Sequence, residues 1–355
     1  MTCEPGYVSA TIKKGGLIMK PRWVSGVASA AFVTLFLLCQ LGWSAAEAQV
    51  IQMRVALHID EKHPVYLGAK EMAARVEERT KGQVKMTLYP NNALGSPPEM
   101  AEQVALGTLD MSLNTQGQLE NHVKASAVAQ LPFIFDDYAH AHRTMDGPAM
   151  QWLAPQFEKA GMIYLANWEW GFRNLTTNKR PIMKPEDVKG LKIRVPPEFH
   201  LQALFESLGA VVTQIAWPEV YMALAQNVVD GQENPLNAIY YAKFYEVQKQ
   251  VALTQHAYSC LIPIVSTKTW AKLNAEQKQI LREEAKRSGD WVRKALNDEE
   301  TDLIGKFEKA GLQVTRPDLK PFRAAIASAN EKIYKRYGEE NVKTFLKFVE
   351  DARKK

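Results

Sequence analysis

The sequence predicts an α/β protein made of two packed lobes. Strand-like and helix-like segments alternate over residues 51–113 and again over residues 191–226, and repeats of this length are typical of parallel βαβ units. A helical pattern then continues over residues 275–310. At 1.5 Å per residue this helix would be about 54 Å long, more than the width of one lobe. We therefore expect it to pack on both lobes.

The first alternating region contains three predicted strands and two predicted helices. Apolar side chains at every second position indicate half-buried strands. A proline suits the first turn of a helix and a glycine suits its end, which are the places of Pro64 and Gly82 in the first helix. The predicted strands cover residues 51–57, 84–88 and 109–113, and the predicted helices cover residues 64–81 and 97–106.

The second alternating region repeats the pattern, with predicted strands over residues 191–195 and 211–215 and predicted helices over residues 201–208 and 218–226. Two further apolar segments, residues 163–177 and 256–267, are expected to cross from one lobe to the other. For the long helix, a break near Ser288-Gly289 is the alternative. No Pro/Gly/Ser-rich linker separates two independent domains.

The N-terminal segment is typical of a secretory signal peptide. Residues 24–41 are mostly apolar, four basic residues precede them, and Ala46-Glu47-Ala48 offers a small-x-small cleavage site. A membrane anchor is the alternative, but spanning needs about 20 apolar residues and polar side chains interrupt this stretch. We therefore expect residues 1–48 to be removed and the protein to be periplasmic. Met19 is an alternative start of translation.

Composition argues against several classes of function. Removal of residues 1–48 would take away four of the 44 basic and two of the 39 acidic residues, and the remaining net charge of about +3 is too low to indicate nucleic-acid binding. Cys260 would be the one remaining cysteine, so no internal disulfide is expected. Its apolar neighbours predict a small buried side chain.

The sequence carries no recognisable catalytic motif. It lacks a GxSxG elbow, an HExxH site, a GxGxxG loop and a Walker A loop. His140 and His142 suggest a metal site, but side chains two positions apart diverge on a helix. We predict that the protein is not an enzyme and that it uses no cofactor and no metal.

Three polar residues in otherwise apolar segments form the candidate binding site. Arg173 and Arg194 lie in or beside strand-like runs, and Asn234 follows in a turn. Two guanidinium forks and one amide suit the capture of a carboxylate better than they suit catalysis. The residues alone leave ordinary salt bridges as the alternative. The partners in that alternative would be Glu169 for Arg173 and Glu198 or Asp187 for Arg194.

Three more residues are weaker candidates, each with a structural alternative. His58 follows the first strand, where ligand sites form in open α/β sheets, and otherwise it is a loop histidine. Asn114 follows the strand over residues 109–113 and could bind a ligand hydroxyl, and otherwise it is a turn residue. His256 could contact the ligand, although support of the crossing segment is the stronger expectation.

The chain resembles the solute-binding proteins of tripartite ATP-independent periplasmic (TRAP) transporters, of the type named for C4-dicarboxylate uptake. The resemblance rests on the order and spacing of short segments along nearly all of residues 49–355. These segments are VEERTKGQVKMTLYPNNALG (76–95), ALGTLDM (105–111), LPFIFDDYAHAH (131–142), GFRNLTTN (171–178), PEDVKGLKIRVP (185–196) and WPEVYMALAQNVVDGQENP (217–235).

The resemblance implies a periplasmic-binding-protein (Venus flytrap) fold, with hinge strands and a long helix across both lobes. It implies that Arg194 is the main carboxylate clamp, that Arg173 gives a second contact and that Asn234 completes the set. It also implies that Trp217 packs on the ligand, for which the alternative is a hydrophobic staple of the following helix. Expected lobe limits are residues 49–171 with about 260–299, and about 172–259 with 300–327. Residues 328–355 should form C-terminal helices packed on the lobes.

The expected partners are a small organic acid and the membrane subunits of a TRAP transporter, with the protein itself a monomer. A sensor that signals to a membrane protein is an alternative, and a secreted enzyme on the same scaffold is a weaker one. For the ligand, Asn114, Gln116 and Gln118 would suit hydroxyl groups, which favours a hydroxylated monocarboxylate. An aromatic acid and a dicarboxylate remain alternatives, and the latter would need a further cation.

Overall fold

The computed structural model describes residues 50–354, so the predicted signal peptide lies outside the described residues. The described chain forms one mixed sheet of eleven strands covered by helices. The strands are β1 (Ile51–Ala56), β2 (Val84–Tyr89), β3 (Met111–Thr115), β4 (Met162–Tyr164), β5 (Trp168–Thr177), β6 (Lys192–Val195), β7 (Val211–Gln214), β8 (Gly231–Pro235), β9 (Gln250–Ala252), β10 (Tyr258–Ser266) and β11 (Gln313–Thr315).

Twelve α-helices surround this sheet in the described part of the chain. They are α1 (Pro64–Arg79), α2 (Pro97–Leu106), α3 (Tyr138–Met145), α4 (Pro148–Lys159), α5 (Phe199–Ser207), α6 (Val220–Ala225), α7 (Leu236–Tyr241), α8 (Thr267–Lys272), α9 (Ala275–Lys309), α10 (Leu319–Ala325), α11 (Ala327–Tyr337) and α12 (Glu339–Arg353). None of these helices is both long and apolar enough to cross a membrane.

The two-lobed α/β architecture is confirmed. The strand order along the sheet is β2-β1-β3-β10-β5-β8-β6-β7, and the expected βαβ units are parallel, since β1 pairs in parallel with β2 and β3 and β6 pairs in parallel with β7 and β8. We call the part built on β1–β4 the first lobe and the part built on β6–β9 and β11 the second lobe. The lobe limits given above stay a prediction.

Two long strands join the lobes, as the apolar segments predicted. β10 pairs antiparallel with β3 in the first lobe and with the start of β5. The remainder of β5, Arg173–Thr177, pairs with β8 and β9 in the second lobe. All ten residues of β5 and all nine of β10 are buried. Each lobe is therefore connected to the other through continuous hydrogen-bonded strands.

The crossing carries a β-bulge. Ser259 pairs with Gly171, but Cys260 pairs with Glu169, so Trp170 is an extra residue in β5. Gly171 has a φ of +115°, in the region where a side chain is strained and glycine is favoured. Such a bulge re-aims side chains. Trp168 and Trp170 are nevertheless both buried in the same hydrophobic core.

The long helix is continuous and packs on both lobes. Its 35 residues span about 52 Å. Its first half packs on α1 within the first-lobe core, while Leu303 and Phe307 join the core of the second lobe. The alternative break at Ser288-Gly289 is wrong. Gly289 instead allows close packing, because a Cβ there would lie 2.7 Å from Cδ1 of Trp168.

The third strand begins two residues later than predicted. Leu109 and Asp110 precede it, and the Asp110 carboxylate accepts hydrogen bonds from the Arg54 backbone N–H at 2.9 Å and from Thr269 Oγ1 at 2.6 Å. These hydrogen bonds hold the residues just before β3 in a turn. The strand also ends two residues later than predicted, at Thr115, so Asn114 lies inside β3 rather than beyond its end.

Candidate ligand-binding site

A small buried cavity lies where the two lobes meet. Its volume is about 20 Å³, which is room for about one water molecule, so the lobes are closed over it. The residues that line it are His58, Pro97, Pro98, Thr115 and Gln118 from the first lobe, Trp170 and Arg173 from β5, and Arg194, Pro196, Pro197, Glu198, Ala216, Trp217 and Asn234 from the second lobe.

The topology explains why these residues meet. Parallel strands place their carboxyl ends on one edge of a sheet, and that edge is where open α/β folds bind ligands. His58 follows the end of β1, Arg194 precedes the last residue of β6, and Glu198 lies just beyond that strand. The two lobes present these edges to each other across β5 and β10.

Arg194 holds a positive charge that no protein carboxylate neutralises directly. Its Nε and Nη2 donate to the backbone carbonyl of Ile215 at 2.9 and 2.7 Å, and among residues 50–354 it forms no salt bridge. The side chain is 1% exposed. Burial, together with the nearby Arg173 charge, lowers the pKa of Arg194 to about 9. At pH 7 the guanidinium therefore remains charged, and it suits an incoming anion.

Arg173 is already paired. Its Nε donates to Oε2 of Glu233 at 2.5 Å, and its Nη2 donates to Oε1 of the same carboxylate at 2.8 Å. Burial opposes ionisation of Glu233, but the Arg173 charge and hydrogen bonds outweigh it and lower the pKa of Glu233 to about 2. His256 supports the same carboxylate through Nε2 at 3.1 Å. This bidentate pair holds the Arg173 side chain in a fixed position in the wall of the cavity.

The salt bridges predicted as the alternative, between each arginine and a carboxylate nearby in the sequence, do not form in the described residues. Arg173 pairs with Glu233, whereas Glu169 lies against His142, with Nε2 to Oε2 at 2.5 Å. Neither Glu198 nor Asp187 forms a salt bridge with Arg194 in the described part of the chain.

Asn234 is hydrogen-bonded to Arg173 in the wall of the cavity. Its Oδ1 accepts a hydrogen bond from Nη2 of Arg173 at 3.1 Å, and its Nδ2 donates to Oε1 of Gln232 at 2.6 Å. The structure thus brings the predicted trio of Arg173, Arg194 and Asn234 to a single cavity, although Asn234 is already bonded on both ends of its amide.

Aromatic rings form the opposite side of the cavity. The ring of His58 lies edge-on to Trp170 and Trp217, at centroid distances of 5.3 and 5.6 Å. Burial and the charges of the two arginines lower the pKa of His58 to about 4, so the imidazole is neutral near pH 7. Its Nδ1 is buried and makes no hydrogen bond within residues 50–354.

The same three rings also border a larger, more open cavity of about 320 Å³. This outer cavity extends from the inner one toward the surface between the lobes. Its other lining residues are Ile59, Asp60, His63, Asn91, Asn92, Pro218, Tyr221, Ala238, Tyr241, Ala242 and Phe244.

Two predicted candidates do not reach the cavity. The Asn114 amide donates to the carbonyl of Pro97 at 2.7 Å and accepts from Ser112 Oγ at 2.6 Å, so it ties α2 to β3. The ring of His256 lies behind Glu233, and its Nδ1 is 2.8 Å from Thr254 Oγ1. These contacts agree with the expectation that His256 supports the crossing segment, and its role stays a prediction.

Several polar lining residues, among them Thr115, Gln118 and Glu198, were not among the sequence-based site candidates. Glu198 is fully buried, and its Oε1 accepts a hydrogen bond from Thr115 Oγ1 at 3.0 Å across the two lobes. Burial, reinforced by the charges of Glu233 and Glu120, raises the pKa of Glu198 to about 7 against the opposing effect of Arg173. Gln118 had been noted only as a partner for hydroxyls. The available signal for Glu198 was its place just past the end of a predicted parallel strand.

Metal binding has no support in the described residues. No group of three or more His, Cys, Asp or Glu side chains there could hold an ion. His140 instead lies against the backbone carbonyl of Val349, with Nε2 at 2.8 Å. Cys260 is buried and free, as its apolar neighbours predicted.

Comparison with known proteins identifies the family. Residues 56–337 match the model described as "Bacterial extracellular solute-binding protein, family 7". The chain is 36% identical over 273 residues to the sialic acid-binding periplasmic protein SiaP of Vibrio cholerae, which covers 77% of this chain and 84% of that protein. It is 32% identical over 295 residues to the 2,3-diketo-L-gulonate-binding periplasmic protein YiaO of Escherichia coli, which covers 83% of this chain and 90% of that protein.

A solved structure agrees with the sequence comparisons. A TRAP periplasmic solute-binding protein from Polaromonas, bound to D-erythronate, superimposes with a TM-score of 0.80 at 35% identity, and the match covers 83% of this chain and 98% of that one. The family consists of binding proteins rather than enzymes, in agreement with the missing catalytic motifs. The chain belongs to family 7 of the bacterial extracellular solute-binding proteins, the periplasmic receptors of TRAP transporters.

Proposed function

We propose that this protein captures a small organic acid by its carboxylate, with Arg194 as the principal clamp, and delivers it to the membrane subunits of a TRAP transporter. The observation that carries the proposal is the contrast between the two cavity arginines. Glu233 neutralises Arg173, whereas the one hydrogen-bond acceptor of Arg194 within residues 50–354 is the Ile215 carbonyl. A buried, unneutralised guanidinium is costly unless it serves an anionic partner.

A hydroxylated monocarboxylate is the ligand class that the side chains lining this cavity suit best. A dicarboxylate would need a second cation, and the low pKa of His58 leaves that ring neutral. Thr115, Gln118 and the His58 ring offer neutral polar groups to hydroxyls. The acids named for the three proteins compared above, sialic acid, 2,3-diketo-L-gulonate and D-erythronate, also carry one carboxylate and several polar oxygens.

Closure of the lobes would complete the site. The cavity takes residues from both lobes, and the Thr115–Glu198 hydrogen bond spans them. A ligand that contacts both lobes gains in the closed form interactions that the open form lacks, and it therefore shifts the population toward closure. The crossing strands β5 and β10 are the natural hinge.

Residues 1–48 are proposed to be a cleaved signal peptide that exports the protein to the periplasm, where its relatives act. A sensor that uses the same receptor to signal to a membrane protein is the second candidate. Deletion of the gene separates the two: loss of uptake of the radiolabelled ligand supports transport, and unchanged uptake with an altered transcriptional response supports a sensor.

The clamp is tested by isothermal titration calorimetry with a panel of acids, including D-erythronate, 2,3-diketo-L-gulonate and sialic acid, and with uncharged polyols of similar size. We expect acids to bind and polyols not to bind. Charge-assisted hydrogen bonds contribute about 1.5–3 kcal/mol each, so Arg194→Ala should weaken binding by about a hundredfold or more. Arg194→Lys should also bind weakly, because an ammonium cannot reproduce the planar fork.

Lys192→Ala is the matched control. Lys192 lies on the same strand, two residues earlier, and is exposed, so its loss removes a positive charge outside the cavity. Its affinity should equal that of the wild type. Equal affinity of the Arg194→Ala variant and the wild type would refute the clamp.

A further inference from the structure

We propose that Glu198 takes up a proton from solvent when the organic acid binds, and that its carboxyl group then donates a hydrogen bond to the ligand. Capture by this protein would therefore be proton-coupled. The inference rests on the proposed function, because it requires an anion beside Arg194. It adds a ligand-contacting residue and a dependence on pH to that site.

The first support is position. Glu198 lines the same inner cavity as Arg173 and Arg194, and its carboxyl group is fully buried. Oε1 accepts the hydrogen bond from Thr115, but Oε2 has no hydrogen-bond partner within residues 50–354. A Cβ on Gly117 would overlap this carboxyl group, so the backbone of the first lobe packs directly against it. Glu198 and Thr115 both line the cavity, so a ligand held there would lie beside the hydrogen bond that joins them.

The second support is the count of charges around the cavity. Two guanidiniums, Arg173 and Arg194, face two carboxyl groups, Glu233 and Glu198. With both carboxyl groups ionised, the site is neutral before the ligand arrives, and a bound carboxylate would make it negative. Two carboxylates about 4 Å apart repel each other by about 4 kcal/mol at an effective dielectric constant near 20. That repulsion favours protonation of one of them.

Glu198 is the group best placed to accept this proton. Glu233 is held ionised by Arg173, and a free organic acid ionises well below neutral pH. The pKa of Glu198 is already raised to about 7, so a modest further rise protonates it near neutral pH. The uptake should be largest when the pH lies above 7, because the carboxyl group is then ionised before the ligand binds.

The other titratable groups around Glu198 do not account for the proposed proton uptake. His200 is 3.5 Å away, between its Nε2 and Oε2 of Glu198, and burial lowers its pKa to about 3. Burial also lowers the pKa of His256. Glu120 is the remaining carboxyl group, on the far side of His200 and Tyr337, and it accepts a hydrogen bond from the Tyr337 hydroxyl at 2.7 Å. Burial raises the pKa of Glu120. Glu120 could therefore also take up a proton, and a variant at this position serves as a control.

The test is calorimetry with D-erythronate, or with the acid of the panel that binds most tightly, at pH 8 in buffers of different ionisation enthalpy. The dependence of the observed heat on the buffer gives the number of protons taken up. We expect close to one proton per ligand for the wild type. We also expect the dissociation constant to rise above pH 7 by up to tenfold per pH unit and to level off below about pH 6.

Glu198→Gln should bind the acid with no proton uptake and with a nearly constant affinity between pH 6 and 9. Glu206→Gln, an exposed change on the helix that Glu198 precedes, and Glu120→Gln should both keep the uptake. No proton uptake by the wild type would overturn the inference whether or not the Glu198 variant folds, and so would unchanged uptake in that variant. If the wild type binds no acid at all, it is instead the proposed function that fails.

Discussion

Replacing Arg194 with methionine should affect ligand binding and protein stability in opposite directions. The pKa of this guanidinium is lowered to about 9, whereas an ordinary arginine has a pKa of about 12.5 or above. A difference of that size corresponds to about 5 kcal/mol at roughly 1.4 kcal/mol per pH unit, as an upper bound on what the buried charge costs the folded state. The whole cost is present at pH 7, and it declines only above about pH 9.

Methionine removes that charge at similar volume, but it also leaves the carbonyl of Ile215 without its two donors. An unsatisfied buried acceptor costs about 1–3 kcal/mol. The net effect is therefore a gain of at most about 2–4 kcal/mol, or roughly 5–10 °C in melting temperature for a chain of this size. Ligand should no longer raise the melting temperature, because the clamp is gone.

Arg173→Met is the matched comparison, since it removes a guanidinium from the same cavity. Here the charge is paired, and its loss leaves the Glu233 carboxylate buried without its main partner. Breaking a buried pair costs about 3–5 kcal/mol, so this variant should melt about 10 °C below the wild type. Differential scanning fluorimetry at pH 7 without ligand compares the three proteins. A ligand-free Arg194→Met protein that melts as far below the wild type as Arg173→Met would show that Arg194 is structural and would refute the reasoning.

Three further outcomes are expected. The pKa of Glu233 is about 2, so its ion pair with Arg173 stabilises the fold fully above about pH 4.3 and less as the pH falls toward 2. Glu233→Gln should therefore have a lower melting temperature than the wild type at pH 7 and lose less of it in acid. An unchanged acid profile of the melting temperature would contradict this. Gly289→Ala should have a lower melting temperature because its Cβ would collide with Trp168. Gly305→Ala on the same helix has open space around it, so it should be more stable by about 0.5–1 kcal/mol through helix propensity and have a slightly higher melting temperature. Equal shifts of the two melting temperatures would refute the packing argument. Trp217→Ala should weaken ligand binding in calorimetry without lowering the ligand-free melting temperature by more than a few degrees, and unchanged affinity would remove Trp217 from the site.

The regular elements were predictable because their signals are local. Alternation of apolar residues placed β1 and β2, and proline and glycine placed the ends of α1. Continuous helical patterning placed α9, which has no break. The bulge at Trp170 could not be predicted in the same way, because it depends on how β5 pairs with β10, a strand about 90 residues later in the chain. The two-residue delay of β3 has a similar cause, because Asp110 is bonded to the Arg54 backbone N–H and to the Thr269 hydroxyl, which come from distant elements.

The features of the binding site also separate into those predicted by local sequence and those that depend on contacts between distant residues. The sequence by itself determined the fold class, the two lobes, and the residues whose type and motif suit a carboxylate: Arg173, Arg194 and Asn234. Only the tertiary structure decided which arginine carries a free charge. Arg173 meets Glu233, 60 residues away, and Glu198 meets Thr115, 83 residues away. Ionic pairing and burial depend on distances in space that residue order does not specify, so the different roles of two similar arginines become visible only when the chain is folded.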